Sequence, residues 1–196
     1  MCFTIIVLTR RRPWRRPWAL SDIVRQGKAL YVGISNYQAE EAEAAIRILR
    51  ENKTPCLLHQ PRYNMFERWA EDGLLELLDR EGVGCICYSP LAQGALTGRY
   101  LNGIPEGSRA SKKGSTIGGR YLTEDKLVKI RLWTGLPESA DSPWPDGPGL
   151  GASQEGSHQR PHRASSIAQL EDNVKALDNL AFSREELAEI EGILKG

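Results

Sequence analysis

Long apolar runs are missing from this 196-residue sequence. None approaches the roughly 18–20 residues that span a bilayer, and the apolar start Phe3–Leu8 precedes its arginines, the reverse of a secretory signal. A membrane span and a standard leader are therefore not expected. Cysteine is scarce as well. Cys2, Cys56, Cys85 and Cys87 form no Cys-x-x-Cys pair and have no histidine at ligand spacing, which argues against a zinc site and against a disulfide framework. No metal ligand is expected, and a reducing cytoplasm fits this usage. An excess of one charge is also lacking, since the chain sums to +1. The charge is uneven, however: Met1–Trp18 holds five arginines and no acid, leaving the remainder at a net −4. That remainder has no basic stripe, so nucleic acid is not an expected partner.

What is present from Leu20 to Trp133 is an alternation of strand-like and helix-like text. Ala29–Ile34 is a short apolar run ending in the turn-prone Ser35 and Asn36, as a buried parallel strand would. Ala39–Arg50 places Ala42, Ala45, Ile46 and Leu49 at helical spacing, with acids early and arginines late, as the helix dipole favours. Pro55–His59 predicts a second strand, Gly73–Arg80 a second helix and Val83–Tyr88 a third strand. Leu122–Trp133 predicts a third helix, with Thr123 placed to cap it. Strict alternation of this kind implies βαβ units and a parallel sheet covered by helices.

The order breaks at Thr134–Arg163. Ten of these thirty residues are Gly or Pro, and neither a period of two nor one of 3.6 survives, so composition predicts an irregular loop. Helical patterning resumes over Ser166–Leu180 and Ser183–Leu194. The second helix opens with a capping box, Ser183 at the N-cap and Glu186 three residues on.

Four ordered motifs follow the strands and open the late helix: GKALYVGISNY (Gly27–Tyr37), HQPRYN (His59–Asn64), YSPLAQGALTGRYLNGIPEGSR (Tyr88–Arg109) and ASSIAQLEDNVKAL (Ala164–Leu177). Together they resemble the C-terminal half of an aldo-keto reductase, nearest the branch of bacterial glyceraldehyde-3-phosphate-type reductases and potassium-channel β subunits. The resemblance implies a (β/α)8 TIM barrel that binds NADP(H) and reduces small aldehydes and ketones by hydride transfer. A complete barrel of that type takes about 250 residues. The expectation here is a partial one: an aberrant basic segment over 1–18, a half-barrel of about three strands over 19–133, an aberrant Gly/Pro-rich segment over 134–163, and C-terminal helices over 164–196. Unpaired sheet edges in such a partial barrel would favour self-association.

The same resemblance implies cofactor-binding positions at Ser35, Asn36, Gln60, Tyr88, Ser89, Pro90, Leu91, Ala92, Gln93, Gly94, Arg99, Arg109, Ser165, Gln169, Asp172 and Asn173. Gln60 would pair its amide with the nicotinamide carboxamide and Tyr88 would stack on the ring. The small residues of Ser89–Gly94 would let backbone N–H groups approach a pyrophosphate, with Arg99 and Arg109 adding positive charge. Ser165, Gln169, Asp172 and Asn173 would hold the adenine ribose side, with Asp172 standing where related chains often carry Glu. Plainer readings stand beside these. Gln60 and Tyr88 could be satisfied interior polar groups, and Arg109 a solvated loop charge. His59 reads as structural, because alternation turns it away from the face of Gln60. His158 and His162 lie in the irregular segment and suggest no catalysis. Cys85 and Cys87 read as core, and Asp22, Glu40 and Glu41 as helix-surface charges.

The family's tyrosine acid, with its lysine and aspartate partners, belongs to early strands that the four motifs do not include, and the substrate-orienting histidine would precede Ala19. No catalytic residue is therefore assigned, and the alternative to a reductase is a non-catalytic dinucleotide-binding or interaction module. The run RRPWRRPW has the residue types of a membrane-surface segment, but a second reading explains more. With synonymous codons chosen freely, the neighbouring frame of residues 1–18 spells DVFYHHRPDPETPLEETM, and that of 145–163 spells QMALAWVLRKKGPTSVLIG. Each is the family text expected at its own place, so both segments are read as frame-shifted.

Overall fold

The computed structural model describes residues 5–9, 17–134, 167, 171, 174 and 182–196. These divide into two units. The first contains the described residues of Met1–Tyr63 together with Glu67–Tyr88, and the second contains Asn64–Phe66 and the described residues from Ser89 onward.

The first unit is a parallel sheet in which β1 (Ile5–Thr9), β2 (Tyr31–Ser35), β3 (Cys56–Gln60) and β4 (Gly84–Cys85) are neighbours in chain order. Between them run helices α1 (Trp18–Arg25), α2 (Ala39–Glu51) and α3 (Leu74–Glu81). The βα alternation is the one expected, with two corrections. First, among the described residues the sheet has four strands where three were expected, because Ile5–Thr9 of the basic N-terminal segment pairs with β2, from Ile5 opposite Tyr31 to Thr9 opposite Ser35. An IIVLT run is strand-forming whatever its flanks. Second, the strand expected over Val83–Tyr88 pairs as a regular ladder only at Gly84–Cys85. Its continuation holds on through Ile86 N–H to the His59 carbonyl (3.0 Å), Tyr88 N–H to the Pro61 carbonyl (3.0 Å) and a bridge between Arg62 and Tyr88.

Val32 and Ile34 are fully buried against Ala42, Ala45, Ile46 and Leu49 of α2 and Leu74, Leu77 and Leu78 of α3. These are the 3.6-spaced positions of the two helices, and each such aliphatic side chain contributes about 1.5–3 kcal/mol on full burial. α3 is preceded by Gly73 (φ 79°) and ended by Gly82 (φ 65°), a left-handed glycine of the kind that stops a helix sharply. Between β2 and β3 the register slips: Val32 faces Cys56, but Gly33 faces Leu58. Leu57 is the extra residue and stands 43% exposed, while His59 returns to the level of Ile34 and Gln60 to that of Ser35. Gly33 is required here, since a Cβ would come within 2.8 Å of Leu58 Cδ1 and 3.0 Å of the Leu58 carbonyl oxygen.

The second unit has its own core of Met65, Ala92, Ala95, Leu96, Tyr121, Ile130, Trp133 and Ile190. It is carried by a 3-10 turn over Ala92–Thr97 and by α4 (Ile117–Tyr121), α5 (Glu124–Thr134) and α6 (Arg184–Lys195). α6 begins as expected: Ser183 Oγ accepts the Glu186 N–H at 3.1 Å, and Glu186 accepts the Ser183 N–H at 2.7 Å. Ile167, Glu171 and Val174 are helical. The remainder of the expected irregular segment and most of the helix that follows lie outside the described residues, as do residues 1–4 and 10–16. No described helix is long and apolar enough to cross a membrane.

Candidate functional site

The C-terminal ends of β2 and β3 and the segment after β4 meet at one side chain, Asn36. This residue follows β2 in the left-handed region (φ 59°), a conformation that asparagine tolerates better than most residues. Its Nδ2 donates to Ser35 Oγ (3.2 Å) and to the Tyr88 hydroxyl (3.0 Å), and its Oδ1 accepts the Arg62 backbone N–H (3.0 Å). Ser35 Oγ in turn donates to the Gln60 carbonyl at 2.7 Å, and the Asn36 N–H donates to the same oxygen at 3.3 Å. Ser35, Asn36, Gln60 and Tyr88, singled out from sequence, are thereby joined in one network.

The groups left over in this network bear on what could bind. The Gln60 side-chain amide is half-buried at the strand end and makes no hydrogen bond among the described residues, although its backbone carbonyl takes two. A free donor and acceptor in one plane matches the chemistry of a carboxamide. The Tyr88 hydroxyl is held by Asn36, and one face of its ring is covered by the Arg62 guanidinium, 5.2 Å from the centroid. The donor set fits a nicotinamide at Gln60, and stacking on Tyr88 is left to the ring face away from Arg62.

In the second unit, the turn after Tyr88 concentrates unusual backbone. Ser89 (φ 57°), Ala92 (φ 47°), Gln93 (φ 63°) and Gly94 (φ 97°) are all left-handed. Non-glycine residues there cost of order 1–3 kcal/mol each and collect at functional sites. Of the N–H groups expected to face a phosphate, those of Ala92 and Gly94 are used inside the turn, donating to the Ser89 (3.0 Å) and Leu91 (2.8 Å) carbonyls. Asn64 is buried and donates to the Ser89 carbonyl at 3.1 Å, while its Oδ1 accepts the Phe66 N–H at 3.0 Å. Pro90 and Leu91 are half-buried, Ala92 is buried, and Arg99 and Arg109 are exposed with no ion-pair partner among the described residues. Ser165, Gln169, Asp172 and Asn173 lie outside the described residues.

Other titratable groups serve the fold. His59 is fully buried, with Nε2 3.2 Å from the Tyr37 carbonyl. A carbonyl only accepts, so Nε2 carries the proton, and Nδ1 is left buried without a partner among the described residues. Burial holds this ring well below its ordinary 6.5, at about 4, although the Tyr37 carbonyl favours the charged form. The Cys85 thiol is pushed upward, first by its contact with Cys87 and then by burial, and burial raises Cys56 to about 11. Neutral thiols of this kind are core residues, as expected. Tyr63 donates to Glu71 (2.6 Å), whose carboxylate also receives the Arg68 fork at 2.6 and 2.7 Å, and this ties down the loop after β3. Among the described residues, no His, Cys, Asp and Glu group is arranged to hold a metal ion.

The sequence profile of the Aldo/keto reductase family matches residues 18–136, more than half of the chain. This chain belongs to the aldo-keto reductase family. Two curated relatives, both L-glyceraldehyde 3-phosphate reductases, bear this out. The protein of Escherichia coli O157:H7 is 46% identical over 181 residues, covering 88% of this chain and 51% of the relative. That of Escherichia coli strain K12 is 45% identical over the same span and shares. The chain thus spans about half the length of the curated relatives it matches. The matched region of this aldo-keto reductase contains three of the four motifs and both described clusters of candidate residues. Sequence reasoning overlooked Arg62 and Asn64, although both sit in the HQPRYN motif. The available signal was spacing, since Arg62 lies two residues beyond Gln60.

Proposed function

We propose that this aldo-keto reductase chain contributes the cofactor side of an NADP(H)-dependent reduction of small aldehydes or ketones, as part of a (β/α)8 barrel. The observation that carries the reading is the Asn36 network, which brings three successive strand ends of a parallel sheet together beside a free Gln60 amide. The ligand sites of such barrels lie at the C-terminal ends of the strands. When bound, the dinucleotide supplies hydride from C4 of its nicotinamide. The chain's own residues orient it: Gln60 pairs with the carboxamide, Tyr88 offers its open ring face, and the Ser89–Gly94 turn with Arg99 and Arg109 receives the diphosphate. Ser165, Gln169, Asp172 and Asn173 complete the set on the adenine side. A phosphorylated three-carbon aldehyde is the substrate suggested by the names of the relatives, in a cytoplasmic setting.

The four motifs include no tyrosine acid for the carbonyl, so the chain on its own is proposed to bind dinucleotide without turning over. The neighbouring-frame readings of 1–18 and 145–163 support the same view, and resequencing the coding DNA across both segments tests them. The functional test is a fluorescence titration with NADPH combined with NADPH consumption in the presence of 4-nitrobenzaldehyde. Saturable binding weakened by Gln60→Ala, with no consumption, is expected. Failure to bind at millimolar NADPH would overturn the cofactor reading, and rapid consumption would overturn the assignment of no catalytic residue.

A further inference from the structure

Arg62 is the one side chain at these strand ends whose charge is poorly used. Its guanidinium lies over the Tyr88 ring, and its only ion-pair neighbour among the described residues, Glu67, is 3.7 Å away, too far for a hydrogen bond. The side chain is 25% exposed, and Nε is buried with no partner. None of the five N–H donors of the group makes a hydrogen bond among the described residues. Leaving a buried charged donor unpaired costs more than the roughly 1–3 kcal/mol of a neutral one. The backbone holds it there nonetheless: the Arg62 N–H is gripped by Asn36, and Arg62 bridges Tyr88 in the sheet. Stacking on tyrosine uses the face of a guanidinium and leaves its edge open, and that edge is the part that grips oxyanions in a two-point fork.

We infer that Arg62 is an anion anchor: its open edge takes a phosphoryl oxyanion at the C-terminal ends of the strands, with Tyr88 fixing the plane of the fork. The inference deepens the reading above by naming a ligand chemistry for the same strand ends, and it rests on that reading only for their being the binding face. The oxyanion has two sources, the dinucleotide or a phosphorylated carbonyl substrate.

The chain, titrated calorimetrically with inorganic phosphate at constant ionic strength, tests it. Saturable binding is expected, weakened at least tenfold by Arg62→Gln and only partly by Arg62→Lys, which keeps the charge and loses the fork. Thermal melts of both variants, with Arg47→Gln on the exposed face of α2 as a control that leaves phosphate binding unchanged, separate loss of the site from loss of the fold. Competition then distinguishes the sources. Displacement of phosphate by NADPH assigns the anchor to the dinucleotide; displacement by glycerol 3-phosphate, with NADPH still binding alongside, assigns it to the substrate. Absence of phosphate binding, or equal affinity in a folded Arg62→Gln or Arg62→Lys variant, overturns the inference while leaving the cofactor reading intact if NADPH binds. Phosphate binding that depends on Arg62, in a chain that does not bind NADPH, upholds the anchor and overturns the cofactor reading.

Discussion

At the scale of single residues, His59 and Asn36 show how a side chain's partners decide its role. The folded chain keeps His59 neutral down to about pH 4, whereas the unfolded chain protonates it near 6.5. Between those values the unfolded state binds the extra proton, so stability is fully present above about 6.5 and is lost as pH falls toward 4. A shift of this size is worth on the order of 3 kcal/mol. Urea midpoints measured between pH 7 and 4 should therefore fall, and His59→Gln should flatten that slope. Asn36 is a different case, since both its backbone and its amide are used. Asn36→Gly keeps the left-handed backbone and loses three side-chain hydrogen bonds, whereas Asn36→Ala loses the bonds and adds strain. Chemical denaturation should rank wild type above glycine and glycine above alanine, with alanine lower than wild type by about 2–4 kcal/mol. The roles of Asn36 and Gln60 were suggested by motif, but nothing in a linear sequence shows that one amide reaches Ser35, Tyr88 and Arg62 together. Arg62 is marked in the sequence only by its spacing, two residues beyond Gln60, and a single arginine past a strand end carries no longer pattern.

At the scale of elements, legibility followed periodicity. α2 and α6 lie within a residue or two of their expected bounds because apolar spacing and end signals agree, with acids early and a basic residue late in each. Replacing Ser183 by alanine removes the N-cap acceptor of α6 and should cost about 1 kcal/mol, read as a lowered thermal midpoint. The strands were less legible at their edges. β1 was passed over because its arginine-rich flank drew attention from five strand-forming residues. β4 is short because pairing beyond Cys85 passes to single bonds and the Arg62–Tyr88 bridge. Gly33 gave no signal in sequence, yet it allows β2 and β3 to approach at the register slip. Gly33→Val, a β-favouring change on propensity alone, should lower stability by several kcal/mol through overpacking against Leu58, which denaturant unfolding would show.

At the scale of the whole molecule, the sheet of described strands begins at β1 and ends at a two-residue β4, so among the described residues its outer strands offer unpaired N–H and C=O groups. Sedimentation velocity is expected to show concentration-dependent association, and a strictly monomeric chain over a hundredfold dilution would contradict it. Cofactor affinity belongs to the same scale, because the proposed contacts are distributed over both units and on either side of the Gly/Pro-rich segment. Holding such a segment in place costs about 1–2 kcal/mol per residue ordered, more than a few hydrogen bonds return. NADPH should therefore bind more weakly than micromolar, and Gln169→Ala should barely change its affinity. Tight binding abolished by that substitution would show the opposite. The slip at Leu57 has a consequence of parity. Side chains of a strand alternate between two faces, and the single surplus residue breaks that alternation only between Cys56 and Leu58, upstream of His59 and Gln60. Deleting Leu57 would restore one-to-one pairing, Cys56 with Val32, Leu58 with Gly33, His59 with Ile34 and Gln60 with Ser35, so the strand should absorb the loss of one residue here with the imidazole and the amide still on their present faces.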